Sequence, residues 1–244
     1  MCFSPDGRKL AATCYNGEVP VFSARTTNKL FALHHEGSAF DIRFSRDGTR
    51  IATAGFDQLA RVWDASDGHA VTPPLRHGDV VTSVDFSPDG RRLLTAALDG
   101  HARIWDTTSG KLLFTTGASV QKGLSKGLRE ARFAPDGRRF ATGGGDGVAN
   151  VWDAESGLML DEPLANSGRP VHVAWSADGE TLITGWGGHA VAPISDTTTT
   201  HSGARVGASI RSSHGWRRSQ SFTCSCSASF ATPGHDGSQF EFLA

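Results

Sequence analysis

Ten histidines, several close to serine, threonine or aspartate, are the first candidates for chemistry in these 244 residues. A hydrolase would use such groups as a Ser/His/Asp relay, with histidine taking the serine proton and aspartate orienting the ring. That reaction also needs a base within reach of the nucleophile and a site for the oxyanion. His34, His35, His69, His77 and His101 have ligand chemistry, but none has H-x-x-x-H spacing, and Cys224-Ser225-Cys226 is C-x-C rather than C-x-x-C. The run Gly143–Gly147 (GGGDG) is not G-x-G-x-x-G, and Gly123–Gly127 holds Lys126 without the G-K-[ST] of a phosphate loop. The expectation is therefore no catalytic residue, no metal and no cofactor.

The elements that must hold these residues repeat along the chain. F-S-P-D-G stands at Phe3–Gly7 and Phe86–Gly90, with variants at Phe44–Gly48, Phe133–Gly137 and Trp175–Gly179. The leading aromatics are 41, 42, 47 and 42 residues apart. Apolar-Trp-Asp follows at Trp63, Trp105 and Trp152, each Trp 19 residues after its aromatic, with Phe22 and Ile194 in that place in the outer units. The third unit alternates over Val80 to Phe86, turns at Pro88-Asp89-Gly90, and continues as strands over Arg92–Ala96, His101–Asp106 and Lys111–Thr115. Asp99-Gly100 between apolar runs is a hairpin signal. Four short strands at this period make a propeller blade, whose faces are buried only against neighbouring blades.

The sequence resembles the WD40-repeat (G-beta-like) β-propeller family over roughly residues 1–196, in the densely regular form of bacterial arrays. The resemblance implies an all-β fold of four-stranded antiparallel blades. It also implies a structural His–Ser/Thr–Asp–Trp tetrad: His35, Thr53, Asp57 and Trp63 in one unit, His77, Thr95, Asp99 and Trp105 in the next. The fourth unit retains Thr142, Asp146 and Trp152, with Leu124 in the histidine place. Asn16 and Phe22 are near-substitutes in the first unit, and Thr184 remains in the fifth. Such a tetrad partners buried polar groups and does no chemistry.

About five blades are expected, at units of about 1–33, 34–75, 76–116, 117–165 and 166–196. The first lacks its leading strand and the fifth a recognisable fourth. Five such wedges imply an incomplete or open ring and a fragment of a longer protein. From Thr197 to Ala244 the repeat vanishes, and 16 of 48 residues are Ser or Thr. Three readings of this tail stand: an out-of-frame translation, a disordered Ser-rich linker, or a degenerate sixth blade.

A net charge of -1 excludes a strongly basic nucleic-acid surface, and no stretch approaches 18 apolar residues, so neither nucleic acid nor membrane is expected as a partner. The stretch before the fourth unit is five residues longer than its counterpart and carries Lys122, Lys126, Arg129 and Arg132. It reads as a solvated loop or as a basic contact for an acidic peptide or phosphate group. The family resemblance also implies partner contacts on the narrow top face. Carried over by position, these fall on Tyr15, Phe40, Phe56, Val80, Thr82 and Leu98, with Arg129 and Arg169 as a rim. Exposed aromatics edged by arginine suit a protein hot spot.

The function expected is a non-catalytic scaffold that binds a protein or peptide. It would sit in a larger signalling or regulatory protein, beside a serine/threonine kinase or NTPase domain. The alternative is a TolB-like or hydrolase-type propeller binding a small ligand or peptide substrate. That class needs polar residues converging on the channel, and the inner positions read as mostly apolar. Cytoplasm is the default location, since no signal peptide precedes Cys2.

Overall fold

The computed structural model describes residues 1–116, 127–160 and 172–185, together with the backbone of three short strand segments beyond them. The described chain is all β, built as a succession of antiparallel meanders. Blade 1 is β1 (Cys2–Phe3), β2 (Lys9–Ala11), β3 (Glu18–Ser23) and β4 (Lys29–His34). Blade 2 is β5 (Ala39–Phe44), β6 (Arg50–Gly55), β7 (Leu59–Asp64) and β8 (Leu75–Arg76). Blade 3 is β9 (Val81–Phe86), β10 (Arg92–Ala97), β11 (Ala102–Asp106) and β12 (Leu112–Thr115). Blade 4 is β13 (Leu128–Phe133), β14 (Arg139–Gly144), β15 (Val148–Asp153) and β16 (Leu164–Ala165). Blade 5 has β17 (His172–Trp175) and β18 (Leu182–Gly185) among the described residues. A hairpin, β19 (Ser209–Ser212) with β20 (Gly215–Arg218), lies further on. The leading strand of the first unit, expected to be missing, is present as a two-residue stub: Cys2 pairs with Ala11 and Phe3 with Leu10.

The turns follow from the repeat strings. In blade 3, Ser87 Oγ donates to Asp89 at 2.6 Å and accepts the Arg92 amide at 2.9 Å, while Gly90 supplies φ +70°. A side chain would be strained at that φ, so glycine holds the place. The Asp of each Trp-Asp pair caps the next turn. Asp106 Oδ1 accepts the Thr108 and Ser109 amides at 3.1 and 2.7 Å.

Strand alternation then sorts side chains between two neighbours. In blade 2, Ile51 and Trp63 face blade 1, packed with Val19, Val21 and Leu33. Ala52 and Val62, one residue away, face blade 3, packed with Val84, Phe86 and Trp105. Blades 3 and 4 repeat this with Ile104 against Phe140 and Trp152, and blades 4 and 5 with Val151 against Leu182. The core therefore lies between blades, not within them.

Candidate functional site

In blade 2 the tetrad is continuous. His35 Nδ1 donates to Asp57 at 2.9 Å, and His35 Nε2 lies 2.7 Å from Thr53 Oγ1. Trp63 Nε1 donates to the same hydroxyl at 2.9 Å. A carboxylate only accepts, so Nδ1 carries the proton, Nε2 accepts the Thr53 hydroxyl, and the threonine oxygen receives the indole. Burial pushes the His35 pKa down against the pull of Asp57, which keeps the ring neutral. Burial alone would raise Asp57, but its bond to His35 and the Glu36 amide hold its carboxyl below the ordinary value.

Blade 3 differs from the expected tetrad. His77 Nε2 meets Thr95 at 2.8 Å and Trp105 donates to Thr95 at 3.0 Å, but His77 Nδ1 donates to the Leu75 carbonyl at 3.0 Å. Asp99 instead binds Arg103, at 2.7 and 3.2 Å, and accepts the Gly78 and His101 amides. Arg103 takes both carboxylate oxygens, whereas Arg61 makes one 3.2 Å contact and leaves Asp57 to the histidine. With burial unopposed by a carboxylate bond, His77 is pushed down to about 4. In blade 4, Trp152 donates to Thr142 at 2.9 Å and Asp146 caps the Val148 amide at 3.0 Å. Leu124 lies outside the described residues. These histidines and threonines are consumed in buried bonds.

The inner wall corrects the sequence reading. It is not mostly apolar: Asp41, Asp85, Glu130, Arg132 and His172 converge there from four blades. Three of them latch one blade to the next through a backbone amide. Asp41 accepts from Val84 at 3.2 Å, Asp85 from Phe133 at 2.8 Å, and Glu130 from Val173 at 3.0 Å. Arg132 lies among them, 2.5 Å from Glu130, 2.8 Å from Ser83 and 3.6 Å from Asp41. It is therefore not the surface cation of a basic loop. Burial raises the Asp85 pKa, while His172 and Arg132 hold Glu130 below its usual value despite burial. Sequence reasoning missed this group. The available signal was a charge at matching places in otherwise apolar strands, as in AFDIRF and LREARF.

A second set of latches closes the bottom. Lys9 donates to the Ala65 carbonyl. Arg50 reaches the Thr107 carbonyl at 2.9 Å, and Arg92 those of Ala154 and Gly137 at 2.6 and 2.8 Å. Arg139 reaches Gly179 at 2.9 Å. Each cation stands two residues after the turn glycine.

On the top face, Tyr15, Phe40 and Phe56 are 93%, 48% and 58% exposed, and the two phenyl rings lie 6.3 Å apart. Ser38 joins them: its hydroxyl donates to the Tyr15 carbonyl at 2.9 Å and its carbonyl accepts the Phe56 amide at 2.8 Å. Arg129 is exposed. Val80 is buried, and Thr82 spends its hydroxyl on the Leu128 carbonyl at 2.9 Å, between blades 3 and 4. Both leave the expected surface because the start of β9 is clamped by the next blade. Leu98 is half-buried beneath Gly127, where any side chain would overlap its backbone. Arg169, Lys122 and Lys126 lie outside the described residues.

Two further candidates carry less. Gly123–Gly127 (GLSKG) satisfies G-x-S-x-G as a string, but residues 123–126 lie outside the described residues and no described element is a helix for such an elbow to open. Asp64, Asp67 and His69 place donor atoms within 4.8 Å of one another, yet Asp64 caps Ser66 and Asp67 binds the His69 amide and ring.

Known proteins show the same pattern. The family model described as "WD domain, G-beta repeat" matches residues 27–64, 72–106 and 110–153. WD repeat-containing protein 1 of Xenopus tropicalis is 32% identical over 74 residues, 29% of this chain and 12% of that protein. The Poly(A)+ RNA export protein of Schizosaccharomyces pombe is 32% identical over 71 residues, 28% of this chain and 20% of that protein. WD repeat-containing protein SL1-17 of Schistosoma mansoni is 35% identical over 75 residues, 31% of this chain and 25% of that protein. The matched segments thus span a quarter or less of these relatives. Together with the stacked four-stranded blades, these matches identify the blades within residues 27–153 as WD40 repeats.

Proposed function

We propose that the chain binds a protein or peptide through the top of blades 1 and 2, without catalysis of its own. The observation that carries this is the exposed Phe40–Phe56 pair, 6.3 Å apart beside Tyr15. Large aromatics left in water at a fixed spacing are preferred anchors for a partner. Glu36, also exposed, borders them. The alternative, a TolB-like or hydrolase-type propeller binding a small ligand or peptide substrate, needs polar residues converging on the channel, and Asp41, Asp85, Glu130, Arg132 and His172 do converge on the inner wall. Those charges are spent on one another and on neighbouring backbones, which favours a structural use. In the wider reading the scaffold serves a signalling or regulatory protein in the cytoplasm, with a serine/threonine kinase or NTPase domain as the expected neighbour.

The test is affinity capture with wild type and with Phe40→Asp/Phe56→Asp. Loss of the wild-type partner at an unchanged melting temperature supports the reading. Full retention of that partner by the double variant removes it.

A further inference from the structure

The turns at the bottom of blades 3 and 4 enclose a cleft of about 510 Å³, at the opposite end of the strands from the Phe40–Phe56 pair. It is lined by Arg92, half-buried and fixed by the carbonyls of Ala154 and Gly137, and by Arg91 and Arg138, both exposed. The last two follow the turn glycines Gly90 and Gly137. Their backbones are tied. The Arg91 amide donates to Asp89 at 3.1 Å and its carbonyl accepts Thr107 at 3.0 Å. The Arg138 amide donates to Asp136 at 2.8 Å and its carbonyl accepts Ala154 at 2.8 Å. Neither guanidinium has a hydrogen bond or ion pair among the described residues, so two unspent cations stand on fixed supports.

Four carboxylates share the lining: Asp89, Asp106, Asp153 and Glu155. Each aspartate gives one oxygen to its own turn, as Asp153 does to the Glu155 and Ser156 amides at 3.1 and 2.7 Å. The second oxygen of each, and the exposed Glu155 carboxylate, have no hydrogen bond among the described residues. A phosphate dianion would meet four carboxylates here, and a lone cation three guanidiniums. A ligand carrying both signs side by side satisfies both sets. Small-molecule pockets are mostly apolar. Apart from Gly137, every residue lining this cleft is charged, which suits a polar segment of a protein partner.

The neighbouring junction shows that these groups are not needed to hold blades together. Between blades 2 and 3, Arg50 makes the same latch to Thr107, while Thr49 stands in the place of Arg91 and Thr108 in that of Glu155. Of the described junctions, this one alone has arginine after both turn glycines.

We propose that the cleft binds a protein segment in which an acidic side chain stands next to a basic one. The carboxylate of that segment pairs with Arg91 and Arg138, whose planar guanidiniums can take it through parallel bonds. Its cation pairs with Glu155 and the free oxygens of Asp106 and Asp153. The site shares no residue with the Phe40–Phe56 patch, so the two readings stand or fall separately.

The test is isothermal titration calorimetry of the full chain with acetylated, amidated hexapeptides: alternating Glu-Lys, alternating Asp-Arg, all-Glu and all-Lys, with inorganic phosphate beside them. One site is expected for the alternating peptides, weakening as salt rises. Arg91→Thr/Arg138→Thr should bind them about tenfold more weakly, the size of two exposed ion pairs, and Glu155→Thr should also weaken them. These variants borrow the threonine of the neighbouring junction, so the melting temperature should not move. Phe40→Asp/Phe56→Asp should bind the peptides as wild type does. The proposal is overturned if neither alternating peptide binds, or if all-Glu, all-Lys or phosphate binds as tightly. It is also overturned if Arg91→Thr/Arg138→Thr binds like wild type, or if Phe40→Asp/Phe56→Asp abolishes binding.

Discussion

His35 donates to Asp57 at 2.9 Å, and one repeat later the same bond is absent, with His77 turned to the Leu75 carbonyl at 3.0 Å. Identical spacing has produced two hydrogen-bond patterns. The difference lies with the arginine four residues after each aspartate. Arg103 holds Asp99 bidentately, while Arg61 leaves one aspartate oxygen to the histidine. Each pattern satisfies its histidine and its indole, while in blade 2 the single contact of Arg61 leaves its Nε buried without a partner among the described residues.

Acid should find the third blade first. The folded pKa of His77, about 4, lies below its unfolded value of 6.5. The unfolded chain therefore takes up the proton first as pH falls. Stability from keeping His77 neutral is complete above pH 6.5 and is lost as pH falls through 4, by about 3 kcal/mol at most. His35 shifts in the same direction. Urea midpoints at pH 7 and pH 5 should show the loss, with a shallower pH dependence in His77→Gln. An unchanged slope in that variant would assign the loss elsewhere.

Thr53→Val keeps the shape and removes the one oxygen shared by His35 and Trp63. Two buried groups lose their partner, at about 1–3 kcal/mol each. A fall of roughly 2–4 kcal/mol in unfolding free energy is expected, with an unchanged urea m-value. Thr95→Val should cost a similar amount, since its two bonds match.

Gly55→Ala should be destabilising although the residue sits in a regular strand. Its added methyl would overlap His35 Nδ1 and Asp57 Oδ1, inside the tetrad. Overpacking of this kind costs about 1–3 kcal/mol. Differential scanning calorimetry of Gly55→Ala beside Gly90→Ala separates the causes: Gly90 has open space around it, so its cost is that of φ +70° alone.

Arg132→Met would leave Asp41 and Glu130 facing each other without their shared cation. Breaking a buried ionic group this way costs about 3–5 kcal/mol. The loss should shrink in acid, because Glu130 is held below its usual value partly by Arg132 and takes up a proton more readily once that cation is gone. Chemical denaturation of Arg132→Met across pH 3.5–7 checks this; a pH-independent cost would mean that the charges are not the reason.

Much of this architecture was legible in the residues. F-S-P-D-G and Trp-Asp state local rules: serine and aspartate bonding their own turn, glycine at positive φ, aspartate capping the next loop. Local rules need no knowledge of neighbours, so β9 to β12 fall within a residue of their expected bounds. The top face was only partly legible. Phe40 and Phe56 stand exposed, but Val80 and Thr82 do not, because the following blade presses on the start of β9. That pressure comes from a chain segment about 46 residues away, as in the Thr82 bond to Leu128.

What the sequence by itself determined is the blade: its strands, its turns, the alternation of its two faces and the family it belongs to. All of these follow from residue type and short spacing. What only the tertiary structure decided is how blades meet. Asp85 reads as a polar residue in a strand until the Phe133 amide, 48 residues on, is seen 2.8 Å away. Asp57 and Asp99 read alike until Arg61 and Arg103 are placed around them. Phe3 reads like Phe44 until one is seen open to water and the other closed. Buried charges and sheet faces take their meaning from partners distant in sequence, because desolvation is settled by whatever lies across the contact.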